Sequence, residues 1–172
     1  ACITRAQAGG MKGKQMIEHM FALESKIIEL VSRSLPSAGT FALDVASAFP
    51  SLSRKYSFCI LKATGVPKKL RCLIKNLHSP AKSPVCVRNR LFTESLIAAG
   101  VGQGDPSAMQ LFILAYDPII KFINSALHSH SVNHWLLPYY DDLAIACTSV
   151  STAWGIVMKC FIIVEKASAP QL

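Results

Sequence analysis

The tightest constraint in this chain is a pair of adjacent acids set between apolar runs, in the segment Leu136-Leu137-Pro138-Tyr139-Tyr140-Asp141-Asp142-Leu143-Ala144-Ile145-Ala146. The flanking residues are those of strands, and the acids belong at a bend between them, because a carboxylate removed from water is costly unless a cation or donors compensate. Neighbouring carboxylates also repel, and each disfavours ionisation of the other. The segment therefore predicts an antiparallel hairpin, Trp135 to Tyr139 with Leu143 to Cys147, whose turn carries charge that something must attract. Ordinary turn chemistry is the alternative, since Asp side chains also satisfy local backbone donors.

A third acid stands at the end of another apolar run. Pro36, Ser37 and Gly39 break the preceding helix, and Thr40-Phe41-Ala42-Leu43 reads as a short buried strand leading into Asp44. Taken alone, Asp44 also suits a helix N-cap. If the two strands pair, Asp44, Asp141 and Asp142 meet at one end of a sheet. One or two Mg²⁺ ions would hold such a group ionised while taking water and phosphate oxygens as their remaining ligands, which points to phosphoryl transfer.

The rest of the pattern supplies helices around these strands. Gln15 to Ser34 carries Met16, Ile17, Met20, Phe21, Ile27, Ile28 and Val31 at helical spacing, an amphipathic helix with that face expected inward. Ser51 or Ser53 caps a helix running through Lys62, and Pro67 opens another with Leu70, Leu73, Ile74 and Leu77 on one side. Pro84 to Arg88 and Leu91 to Ile97 form a hairpin, and Pro106 opens a helix with Met109, Ile113, Tyr116 and Ile120 inward. Ser149 or Ser151 caps a last helix with Trp154, Val157, Met158, Phe161 and Ile162 facing the core. The pattern is that of one α+β domain.

Composition narrows the function. Between Val45 and Thr93 lie ten basic residues and no acid, within a net charge of +8, a distribution suited to a polyanion. The longest uncharged stretch, Phe122 to Tyr140, is too rich in His, Asn and Ser for a bilayer span, so a soluble chain is expected. The first residues show no apolar core followed by a small-residue cleavage site, so no secretory signal is visible in them, and an intracellular protein, nuclear or cytoplasmic, is expected. The six cysteines show no C-x-x-C spacing, which favours free thiols. His128, His130 and His134 fall in a Ser/His/Asn loop without a neighbouring acid or Cys, a weak metal set.

Three segments then stand in order: Phe41-Ala42-Leu43-Asp44-Val45-Ala46-Ser47-Ala48-Phe49, Gly100-Val101-Gly102-Gln103-Gly104-Asp105-Pro106-Ser107, and Tyr139-Tyr140-Asp141-Asp142. In order and spacing they resemble the palm motifs of reverse transcriptases of the non-LTR retrotransposon type. The resemblance runs from about residue 13 to about residue 165. It implies a polymerase palm, a ferredoxin-like antiparallel sheet backed by helices, with part of the fingers. The outer fingers strands and the thumb are expected to lie beyond this chain, as in a piece of a retroelement protein.

The family resemblance also implies roles. Asp44 and Asp141 would be the main ligands of two Mg²⁺ ions, for which Mn²⁺ can substitute, with Asp142 supporting them. Phe49 matches the steric gate that excludes a 2′-hydroxyl, and Gln103 and Gly104 would lie near the templating base and incoming nucleotide. Tyr139 and Tyr140 would lie near the primer terminus, while Lys68, Lys69 and Arg71 of the basic block are assigned to primer and template. The partners are then an RNA template, a DNA primer and deoxynucleoside triphosphates. Departures from the pattern are Gly102 in place of Arg, Ser107-Ala108-Met109 in place of Leu-Ser-Pro, and Tyr140 in place of a small residue, where its bulk would crowd the primer end. The alternatives are a non-catalytic nucleic-acid-binding remnant and, with less support, a two-metal phosphodiesterase or nucleotide cyclase.

Overall fold

The computed structural model describes residues 3–4, 6–78, 81–97, 100–101, 105 and 107–168, with 81–85, 92–97 and 168 given by their backbone. In chain order the elements are α1 (Met16–Ser32), β1 (Gly39–Leu43), α2 (Ala48–Ser51), α3 (Arg54–Ala63), α4 (Lys68–Leu77), β2 (Ala81–Val87), β3 (Arg90–Ile97), α5 (Ala108–Ser129), β4 (His134–Tyr139), β5 (Asp142–Cys147) and α6 (Val150–Ser168). By contact the chain gathers into two compact units, an inserted one made of Ala46–Phe112 and a flanking one made of the chain on either side of it.

In the flanking unit β1, β5 and β4 form an antiparallel sheet with β5 in the middle. The centre strand is the apolar one: Leu143, Ile145, Ala146 and Cys147 are buried. Helices α1 and α6 pack against this sheet, so the expected α+β architecture, an antiparallel sheet with helices against it, is present. The strand before Asp44 differs from the expectation of full burial. It is an outer strand of the sheet, with Gly39, Phe41 and Leu43 half-buried and Thr40 and Ala42 exposed.

Two helices of this unit turn a different face inward from the one their apolar spacing suggests. On α1 only Leu30 is buried, and the half-buried stripe below it runs through His19, Leu23 and Lys26, while Met20, Phe21, Ile28 and Val31 are exposed. Lys26 explains part of this: its ammonium sits 4.2 Å from the centre of the Trp135 ring and 2.8 Å from Glu29, so its apolar stem covers the sheet. On α6 Val157 is buried as expected, together with Ala153, Ile156 and Cys160, whereas Met158 and Ile162 are at the surface and Trp154 is largely exposed, keeping an edge contact with Phe41 of β1 at 5.5 Å.

The inserted unit begins with α2, and Ser53 caps α3 by accepting from Tyr56 N at 3.3 Å. Helix α4 follows Pro67 as expected, but no residue on it is buried, and Leu70, Leu73 and Leu77 are exposed rather than inward. The hairpin β2–β3 closes through Arg88 and Asn89, both left-handed, the geometry of a two-residue turn matched to strand twist. Its ladder shifts register between Ser83 and Val85, where Pro84 has no N–H to donate. On α5, Ile113, Tyr116 and Ile120 are buried as expected, and Met109 is exposed. The described cysteines Cys59, Cys72, Cys86, Cys147 and Cys160 are free thiols. Among the described residues no helix is long and apolar enough to cross a membrane.

Candidate active site

The flanking unit brings the three predicted acids together. Strand β1 pairs with β5 from Gly39 opposite Cys147 to Leu43 opposite Leu143, so Asp44 leaves the sheet beside the start of β5. Asp142 is the first residue of β5, paired with Tyr139 at the end of β4, and Asp141 lies in the turn between the two strands. Asp44 is thus no helix cap: the N-cap of α2 is Ser47.

The electrostatics register this proximity. Burial, then the charge of Asp141, then that of Asp44 push the Asp142 carboxyl above its ordinary value. The buried Tyr116 phenol on α5 is pushed up by burial and by Asp141, Asp142 and Asp44 in turn. Each carboxylate therefore works against the ionisation of a neighbour, and a cation among them would reverse the effect. As placed, no group of three or more His, Cys, Asp or Glu among the described residues forms a ready metal cage. Mg²⁺ does not need one, because it binds through one or two carboxylates and keeps water and phosphate oxygens as its other ligands. Hard carboxylate oxygens at a sheet end fit such an ion. The histidine loop does not: His134 is engaged by Val132 O at 2.7 Å and Asn124 Oδ1 at 3.0 Å.

The turn itself is braced by a segment that the motif spacing did not single out. Tyr140 has φ +56°, a left-handed conformation uncommon for a large residue. Its N–H donates to Gln7 Oε1 at 3.2 Å, and its ring lies against Gly9 and Gly10. Tyr139 meets Tyr140 edge to face, with ring centres 5.2 Å apart, and His19 on α1 at 6.3 Å. The bulk of Tyr140 is thus housed beside two glycines. The sequence signal for this brace, Gln7-Ala8-Gly9-Gly10, is legible only once the facing residue is known.

In the inserted unit Phe49 is half-buried on α2, with its ring centre 5.3 Å from that of Phe112. Its carbonyl accepts from Val101 N at 3.0 Å, Leu52 O accepts from Gly100 N at 3.2 Å, and Arg54 Nε donates to Gly100 O at 2.7 Å. Gly100 has φ +74°, and a Cβ there would come within 2.6 Å of Pro50 O, so the close approach requires glycine. Gln103 and Gly104 lie outside the described residues. Past them, Asp105 Oδ1 accepts from both the N–H and the hydroxyl of Ser107 at 2.7 Å, and buried His78 reaches Asp105 Oδ2 and Ser107 Oγ at 3.4 Å. The Ser107 hydroxyl, then its N–H, hold the Asp105 carboxyl below the usual carboxylate range, with His78 adding to the pull.

Three of the basic residues line one hollow. Lys68, Arg71 and Lys75 of α4 line, with Phe58, Leu61 and Cys72, an open hollow of about 220 Å³. Lys69 is exposed on the same helix. This hollow suits a phosphate-bearing chain by charge.

The family model described as reverse transcriptase (RNA-dependent DNA polymerase) matches residues 2–169. No curated protein matches the chain.

Proposed function

The chain belongs to the reverse transcriptase family, and from that membership we propose that it is an RNA-directed DNA polymerase, transferring deoxynucleotides to a primer 3′ end under the direction of an RNA template. The observation that carries the proposal is the meeting of Asp44 with Asp141 and Asp142 at one end of an antiparallel sheet, where Asp142 feels the charge of both others. The family works with nucleic acid and nucleotides as substrates and with divalent metal. The finer assignment proposed here is two Mg²⁺ ions, replaceable by Mn²⁺, held by Asp44 and Asp141 with Asp142 in support.

Such ions, when bound, activate the primer hydroxyl and neutralise charge on the triphosphate and leaving group. The protein's part is position. The strand ends fix the carboxylates, and the turn at Tyr140 and Asp141 fixes the direction of approach for the primer, with Tyr139 beside it. Phe49 is proposed as the residue that excludes a 2′-hydroxyl, and Gln103 and Gly104 as contacts of the templating base and incoming nucleotide. Lys68, Lys69 and Arg71, on the helix that lines the basic hollow, are proposed to hold template or primer phosphates. The match over 2–169 supports reading the two compact units as parts of a single reverse transcriptase domain, and the order and spacing of the three motif segments support the non-LTR type as its kind.

The test is Mg²⁺- or Mn²⁺-dependent extension of a DNA primer on an RNA template, with Asp44→Asn and Asp141→Asn alongside. Each substitution should cost several kcal/mol of barrier, on the order of a thousandfold in rate. Extension that survives both substitutions would remove the carboxylates from the site. The basic hollow favours a second reading, a nucleic-acid-binding protein without catalysis. Salt-sensitive binding of an RNA–DNA hybrid without any extension by the folded chain would select it.

A further inference from the structure

We infer that Gln7 is a positioning residue for the hairpin that carries Asp141 and Asp142. The inference rests on the catalytic reading of that hairpin and adds to it a residue far away in sequence.

Gln7 is buried, 2% exposed, in a segment outside any helix or strand. Its Oε1 accepts from Gly9 N at 2.9 Å and from Tyr140 N at 3.2 Å. Beside it Ala8 N donates to Pro138 O at 3.2 Å, so backbone and side chain together lace this segment onto the end of β4. Farther back, Thr4 N donates to Asp117 Oδ1 on α5 at 2.6 Å, which anchors the start of the strap. Tyr139 forms the last pair of the β4–β5 ladder, so the Tyr140 N–H lies beyond the ladder and is met by Gln7 instead.

The chemistry of Gln7 argues for the acceptor as its purpose. Two N–H donors on Oε1 fix which end of the amide is oxygen. Its Nε2 is then left buried without a hydrogen-bond partner among the described residues. An unpaired buried donor is costly, so a side chain kept only to fill space would serve better as Met or Leu. The steric fit points the same way. A Cβ on Gly9 would come within 2.6 Å of Tyr140 N and 2.7 Å of its ring, and one on Gly10 within 3.0 Å of the Tyr140 hydroxyl. The strap and the turn are shaped to each other.

Tyr140 is held in a left-handed conformation by this contact, and its ψ sets the direction in which Asp141 leaves the turn. Gln7 does not touch the reacting atoms. It acts through Tyr140, by keeping one turn geometry among those a four-residue bend can adopt.

The test is amide hydrogen exchange of the full chain by NMR, read at Tyr140, with Leu143 and Ile145 of β5 as internal controls. In the wild type the Tyr140 amide should be protected like a strand amide; exchange at the rate of an open turn would overturn the inference without any variant. Gln7→Met, which keeps the volume and loses the acceptor, should speed exchange at Tyr140 roughly tenfold, the loss of one hydrogen bond, with the β5 controls unmoved. Gln7→Glu keeps an acceptor oxygen and should hold Tyr140 within about twofold of wild type, since the acceptor is what counts. Tyr140 exchange unaltered in Gln7→Met would overturn the assignment. In primer extension Gln7→Met should lower kcat with KM for the nucleotide unchanged, and a rise in KM alone would count against positioning. A wild-type chain that extends no primer would defeat the polymerase proposal, and the exchange comparison would still decide this one.

Discussion

Leu43, the last residue of β1, stands opposite Leu143 on β5. Asp44 follows Leu43 and Asp142 precedes Leu143, so the pairing leaves both acids at the same end of the sheet, with Asp141 in the adjoining turn. Like charges so placed oppose each other, and the Asp142 carboxyl is pushed above its ordinary value by burial and by Asp141 and Asp44. An antiparallel pairing therefore assembles the negative end of the sheet from two segments far apart in the chain.

A divalent cation should relieve that opposition and stabilise the fold. At tenfold above its Kd, Mg²⁺ should add about 1.4 kcal/mol by mass action. A thermal melt with and without Mg²⁺ checks this, and the double variant Asp44→Asn with Asp142→Asn should lose the shift. A wild-type melt indifferent to Mg²⁺ and Mn²⁺ would speak against a metal site here.

Phe49 has a structural role against Phe112 and a proposed one against the sugar of the incoming nucleotide. Phe49→Val should raise ribonucleotide incorporation roughly tenfold or more relative to deoxynucleotide, because a smaller side chain no longer excludes the extra hydroxyl. Single-nucleotide incorporation kinetics measure the ratio. Sugar selectivity equal to wild type would remove Phe49 from that role.

Asp105 makes the inserted unit acid-sensitive. Hydrogen bonds from Ser107 lower its folded pKa below the ordinary 3.8 of the unfolded chain, with His78 contributing. The sign follows: the stabilisation is fully present above that value and is lost as pH falls through the lower folded pKa. Urea melts between pH 5 and pH 2 should show the loss, and Asp105→Asn should flatten it. Ser107→Ala, which removes the hydroxyl donor, should cost about 1 kcal/mol at neutral pH.

Gly100 is the position where a single methyl should do most harm. Gly100→Ala combines a left-handed backbone with a Cβ at 2.6 Å from Pro50 O, and should cost roughly 2–4 kcal/mol. Chemical denaturation measures it. Gly65→Ala is the control, because Gly65 is also left-handed at φ +78° but has no atom within 4 Å of its would-be Cβ. Its loss should be near 1 kcal/mol, the backbone share alone.

The basic hollow predicts a salt slope. Replacing Lys68 and Lys75 by Gln should weaken binding to an RNA–DNA hybrid and lower the slope of log K against log salt by about 1 for each phosphate contact removed. A slope unchanged by both substitutions would place the phosphate contacts elsewhere.

Much of this was legible along the chain, because the signals are local. The hairpin around Asp141 and Asp142, the strand leading to Asp44, the cap at Ser53 and the acid-free basic block all depend on residues within a few positions of one another, whereas the turn expected at Asn89 and Arg90 falls one residue earlier, at Arg88 and Asn89. Side-chain period, turn chemistry and charge spacing act over that range. The tertiary structure decided what those signals leave open. It put Thr40 and Ala42 on an open face because β1 is an outer strand, and it turned Ala153 and Ile156 of α6 inward rather than Trp154 and Met158. It also set Gln7 and two glycines against Tyr140. An apolar helix has more than one face that could be buried, and a buried amide has no meaning until its donors are known. Both are settled by what packs opposite, and the residues opposite come from distant parts of the chain.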